Sequence, residues 1–131
     1  MDRPPHLGLR HVALNVRDVA RMMRFYVEVM GFDVEWAPDP DNVYLTSGRD
    51  NLALHRVTGP APAGPGALDH LGVIAATPAL VDAWAAFVES QGVALDARPR
   101  THRDGARSCY FADPEGNRVQ VIYHPPISGA I

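Results

Sequence analysis

The stretch Leu9-Arg-His-Val-Ala-Leu-Asn-Val16 decides the reading, because the chain repeats it as Leu68-Asp-His-Leu-Gly-Val-Ile-Ala75. Both are short β-prone runs with histidine third, and repeats of this kind define architecture before local detail does. A helical pattern follows each. Asp18 can cap Val19–Met30, where Val19, Met22, Met23, Tyr26, Val29 and Met30 keep i, i+3, i+4, i+7 spacing. Thr77-Pro78 opens the second helix, Ala79–Gln91, whose stripe is Leu80, Trp84, Phe87 and Val88. Gly31 and Gly92 stand where each helix should stop. Strands are expected around 34–36, 43–46 and 52–57, then around 93–97, 108–112 and 118–123. Arg49-Asp-Asn51 and Asp113-Pro-Glu-Gly-Asn117 form the last hairpin turns.

The order βαβββ therefore occurs twice. One such unit cannot bury both faces of its sheet. The expected fold is α+β, with two tandem βαβββ modules forming a curved mixed sheet around a cleft. Residues 1–131 read as one domain. Module one spans about 7–57, a Pro/Gly/Ala-rich linker 58–67, and module two about 68–124.

Composition limits the function. The chain has 131 residues, 47% hydrophobic, with a formal net charge of −3 and no basic run, so nucleic acid is not an expected partner. No segment approaches the ~18 apolar residues of a membrane span, and the N-terminus lacks a signal-peptide core. The single cysteine, Cys109, excludes an internal disulfide and fits a reducing cytoplasm.

Strand alternation sorts the side chains. Val12, Leu14 and Val16 suit helix packing, which turns His11, Ala13 and Asn15 the other way. The same parity puts His55, His70 and Gln120 on faces opposite the helix-packing residues. A bulge would reverse it.

Three stretches carry a family resemblance: His11-Val-Ala-Leu-Asn-Val-Arg-Asp18 leading into Arg24-Phe-Tyr26, then Gly31-Phe32, then Phe111-Ala-Asp-Pro-Glu-Gly-Asn117 leading into Val119-Gln-Val-Ile122. With these, the chain resembles the vicinal-oxygen-chelate superfamily (glyoxalase, bleomycin resistance, extradiol dioxygenase) from Leu9 to about Tyr123. The resemblance implies paired modules, often a homodimer, and a divalent metal that binds adjacent oxygens of a small-molecule substrate. His11 and His70 match the first-strand ligand positions. Gln120 stands where most metalloenzymes of the family carry Glu. Its counterpart in module one is Ala53, which cannot ligate, and His55 two residues on is the substitute candidate.

A neutral set of His11, His55, His70 and Gln120 suits Zn or Ni better than Fe or Mn. That weakens a ring-cleaving dioxygenase more than a lyase or isomerase. A proton-transfer reaction also needs a base. With no Glu at 53 or 120, the candidates are His55, His102 and Tyr110, by residue type alone. The run Arg98-Pro-Arg-Thr-His-Arg-Asp-Gly-Ala-Arg107 is read as a flap, in which Arg98, Arg100, Arg103 or Arg107 can clamp an anionic substrate. Two functions stay open: a metal-dependent lyase, isomerase or dioxygenase, and a metal-free antibiotic-binding resistance protein.

Overall fold

The computed structural model describes residues 1–129 and divides into two compact units, one ending at Pro60 and the next beginning at Ala61. The boundary falls inside the Pro/Gly/Ala-rich stretch.

In the first unit β1 (His11–Val16) leads to α1 (Val19–Arg24), then to β2 (Asp33–Asp39), β3 (Asn42–Thr46) and β4 (Asn51–Arg56). The sheet order is β1-β4-β3-β2, with β1 parallel to β4 and the other pairs antiparallel. In the second unit β5 (Leu71–Ile74), α2 (Pro78–Ser90), β6 (Leu95–Thr101), β7 (Arg107–Ala112) and β8 (Arg118–Tyr123) repeat the plan, with order β5-β8-β7-β6. A short α3 (Pro125–Ser128) follows. The duplicated βαβββ reading is thus the observed topology, as two four-stranded mixed sheets each with its helix. Among the described residues no helix is long and apolar enough to cross a membrane.

Local chemistry explains the boundaries. The Asp18 side chain accepts from the Arg21 amide at 3.0 Å, and Thr77 accepts from the Leu80 amide at 3.3 Å with Pro78 in the first turn. Gly31 (φ 79°) and Gly92 (φ 81°) take the left-handed conformation that ends each helix. The first helix departs from its expected single span of 19–30. After Arg24 it widens into a π-helical turn, Phe25–Val29, where the Met30 amide reaches the Phe25 carbonyl at 3.2 Å. The wider turn lessens the angle between successive side chains, so the neighbours Phe25 and Tyr26 are both buried, edge to face at 5.1 Å.

Alternation follows the expected parity. Leu14 and Val16 are buried while His11, Ala13 and Asn15 are exposed; Val119 and Val121 are buried. Val81, Ala85 and Val88 of α2 are buried in the second unit, as are Cys109 and Phe111 of β7. Each fully buried Val contributes about 1.5–3 kcal/mol.

The second half's third segment corrects the sequence reading. The strand expected around 93–97 runs instead from Leu95 to Thr101, so half of the supposed flap is strand, and 102–106 form the turn before β7. The physical reason lies at the sheet edge. β6 pairs on one side only, and its register shifts between Ala97 and Arg100, a gap that accommodates Pro99 without a ladder amide.

Candidate functional site

The candidate residues divide between the units: His11 and His55 in the first, His70, His102, Tyr110, Gln120 and the four arginines in the second. The hydrogen-bond partners of each ring determine which nitrogen it offers.

In the first unit the Nδ1 of His11 lies 2.8 Å from Asn51 Oδ1. The Asn51 amide nitrogen donates to Glu35 Oε1 at 3.3 Å, so its oxygen is the acceptor and the imidazole must donate. The proton of neutral His11 therefore sits on Nδ1, leaving the Nε2 lone pair available. His55 repeats the arrangement. Its Nδ1 lies 2.6 Å from Asn42 Oδ1, and the Asn42 amide nitrogen donates to both oxygens of Asp39, at 3.0 and 3.2 Å. Beside it Tyr44 stands edge-on to the imidazole at 5.7 Å, and Trp36, 60% exposed, stacks on Tyr44 at 5.3 Å.

The register separates the two rings. His11 pairs with Asn51, Ala13 with Ala53 and Asn15 with His55. His55 is thus four residues along the sheet from the His11 row, roughly 13 Å at the usual strand rise. Two imidazoles at that spacing do not reach one ion, and among the described residues no three His, Cys, Asp or Glu side chains group as a metal would need. His55 thus stands one row beyond Ala53, on the side away from His11. Ala53 is the counterpart of Gln120: Ala13 faces Ala53 as Gly72 faces Gln120.

In the second unit the Nδ1 of His70 lies 2.6 Å from Asp69 Oδ2, a group that can only accept when ionised, so His70 also keeps Nε2 as its open nitrogen. The bond to His70 holds the Asp69 carboxyl below its ordinary value of 3.8. Gln120, buried on β8, donates its amide nitrogen to the Tyr110 hydroxyl at 2.8 Å. That leaves the Gln120 carbonyl oxygen on the β5 side, 3.7 Å from where a Cβ on Gly72 would sit. Tyr110 has the His70 ring edge-on at 5.4 Å and the Arg118 guanidinium 4.1 Å over its face.

His102 is wired in reverse. Its Nδ1 lies 3.2 Å from an Arg100 nitrogen that can only donate, so Nδ1 accepts and the proton sits on Nε2, which donates to Ser108 Oγ at 2.8 Å. Both nitrogens are committed, which argues against His102 as a base.

The arginines sort by sheet face. Arg107 makes two bonds to Asp82 of α2, at 2.9 and 2.7 Å, and Arg98 reaches Glu89 of α2 at 3.3 Å. Both point toward the helix. Arg100 and Arg103 instead line an open pocket of about 650 Å³ with His102, Asp104, Tyr110 and Gln120. Sequence reading found the histidines but not Asn42, Asn51, Glu35 and Asp39, which orient two of them. Only the short Asp39-to-Asn42 interval hints at a local contact; the other partners meet through strand pairing.

The profile of the Glyoxalase/Bleomycin resistance protein/Dioxygenase superfamily matches residues 8–121. A lactoylglutathione lyase from Agrobacterium tumefaciens has a similar structure, with a TM-score of 0.76 and 25% identity over 92% of this chain and 96% of that one. An integron cassette protein from V. cholerae gives 0.69 and 25%, over 95% and 98%. A glyoxalase/bleomycin resistance protein/dioxygenase from Alicyclobacillus acidocaldarius gives 0.72 at 18%, over 91% and 92%, a likeness of fold alone.

Proposed function

Because this chain belongs to the Glyoxalase/Bleomycin resistance protein/Dioxygenase superfamily, we propose that it is a metal-dependent enzyme acting on a small oxygenated metabolite, with His11 in the first unit and His70 and Gln120 in the second as candidate ligands of a divalent metal. One observation carries it: His11 and His70, at the openings of β1 and β5, both commit Nδ1 to an oxygen and keep Nε2 for a further partner. Metal-bound histidines are oriented in this way. Gln120 adds a carbonyl oxygen whose amide is already anchored by Tyr110.

The candidate donors are imidazole nitrogens and a neutral amide oxygen. This favours Zn or Ni over Fe or Mn, and an isomerase or lyase over a ring-cleaving dioxygenase. Bound there, the ion would supply Lewis-acid polarisation of the substrate's adjacent oxygens. The protein's own part is to orient the substrate. Arg100 and Arg103 offer donors to an anionic end, and Tyr110, whose oxygen already accepts from Gln120, has its hydroxyl hydrogen to give. A cytoplasmic homodimer completes the reading, by family habit.

Elemental analysis of untagged protein, with zinc and nickel titrations, tests the proposal. Near one equivalent of ion, lost in H11A and H70A, is expected. Less than a tenth of an equivalent, with no uptake on titration, overturns it. That result would favour the second reading, a metal-free antibiotic-binding protein, which draws support from Ala53 at the matching ligand position and from the exposed Trp36–Tyr44 stack. Thermal shifts with aromatic antibiotics, indifferent to EDTA, would then be expected.

A further inference from the structure

Resting on the enzymatic reading, we propose that His55 is the proton acceptor of the reaction, and that Asn42 and Asp39 are positioning residues that keep its Nε2 basic. An isomerase or lyase must move a proton, and the two strand positions where a Glu would serve carry Ala53 and Gln120.

His55 has the properties of a base. The order Asp39, Asn42, His55 leaves no freedom in the donor–acceptor pattern. The Asp39 carboxylate accepts both from the Asn42 amide nitrogen and from the Asp41 backbone, at 2.8 Å for the latter. Asn42 must therefore present its oxygen to the ring, and the ring must present Nδ1–H. Tyr44, held from behind by Trp36, limits ring rotation. Among the described residues no buried side-chain nitrogen or oxygen lacks a partner; Nε2 of the half-buried His55 has none, so it is open to solvent.

The groups around it on that face are Asn15 on β1, Asn42 and Tyr44 on β3, and Asp39 behind Asn42. Between the His55 and His11 rows lie Ala13, Ala53 and Tyr44 on β1, β4 and β3. The distance along the sheet, roughly 13 Å, separates a ligand position at one end from a base at the other.

The step balances without an outside reagent. A C–H bond beside a substrate carbonyl breaks, and its electron pair forms the enolate. The proton goes to His55 Nε2, while the Nδ1–H bond to Asn42 persists in the imidazolium. Return of the proton to the neighbouring atom completes an isomerisation and restores neutral His55.

Two measurements on the full chain test this. Long-range ¹⁵N NMR of the imidazoles at pH 8 should show His55 as the Nδ1–H tautomer, and N42A should convert it to a mixture with the Nε2–H form. Added zinc alone should shift His11 and His70 and leave His55 in place. The second probe is 4-nitrocatechol, a planar acidic diol whose ionisation is visible, bound to metal-stripped protein. At one pH unit below its free ionisation, the bound probe should be mostly ionised by the natural protein. H55Q should reduce that fraction at least fivefold, with N42A intermediate. An Nε2–H tautomer in the natural protein, a zinc shift at His55, or equal ionisation by H55Q would each overturn the proposal. If zinc fails to shift His11 and His70 while His55 behaves as stated, the metal assignment falls and this one stands.

Discussion

Gln120 on β8 and Tyr110 on β7 are direct cross-strand partners, and the amide nitrogen of the first donates to the hydroxyl of the second at 2.8 Å. The bond assigns the ends of a buried amide: nitrogen to the phenol, oxygen toward β5. Removing the acceptor should therefore be felt twice. Y110F leaves a buried N–H unpaired, which costs about 1–3 kcal/mol. Urea denaturation should show that loss, and zinc affinity should fall as the freed amide reorients. An unchanged midpoint would mean that the amide is satisfied elsewhere.

Asp69 touches His70 and no proposed ligand besides, so its effect on metal is one of orientation. D69A should weaken zinc binding by roughly 10–100-fold, the usual cost of losing an outer partner of a ligating histidine. Asn51→Ala should act similarly through His11. Calorimetric titration with zinc checks both.

The arginines bonded to α2 and those lining the pocket should separate stability from binding. R107A breaks the paired contact with Asp82 and should lower the melting temperature only slightly, because that pair is partly solvated. R100A and R103A should leave stability nearly unchanged and weaken binding of inorganic phosphate, read by chemical-shift perturbation at Tyr110 and Gln120. Phosphate shifts that survive both substitutions would remove the anion site.

The carboxyls of Asp69 and Asp82 are held below their ordinary value of 3.8, the first by its bond to His70, the second by its bond to Arg107. The unfolded chain therefore takes up these protons first as pH falls. Their stabilisation is complete above pH ~3.8 and drains away as the pH drops through the lower folded values. Between pH 5 and 2.5, D82N should show a shallower fall in Tm than the natural protein. Parallel curves would show that the Asp82–Arg107 pair contributes nothing to acid stability.

Burial pushes the Cys109 thiol above its ordinary 9.0. A disulfide reagent at pH 8 should label it slowly in the folded protein and within seconds in 6 M guanidinium. Equal rates would mean that β7 opens readily.

Much of the fold was readable in advance because its causes are local. The caps at Asp18 and Thr77, the left-handed stops at Gly31 and Gly92, and the period-2 alternation of Leu14 and Val16 act within a few residues. The repetition of His11 and His70 at matched strand openings was likewise visible in one dimension. The π-helical turn escaped notice because packing of Phe25 with Tyr26 decides it. The length of β6 did too, because a solvated edge strand keeps a polar composition that reads as loop.

What tertiary structure alone decided is the protonation of each ring. By composition His11, His55, His70 and His102 are equivalent. Strand register gave His11 and His55 an oxygen at Nδ1, while chain neighbours gave His70 the Asp69 carboxylate and His102 the Arg100 guanidinium, so three offer Nε2 and one offers nothing. The sequence by itself determined that histidines would lie on the sheet faces away from the helices, since side-chain alternation is a property of the chain. Which nitrogen His11 and His55 present depends on Asn51 and Asn42, 40 and 13 residues away along the chain and brought beside them by strand pairing.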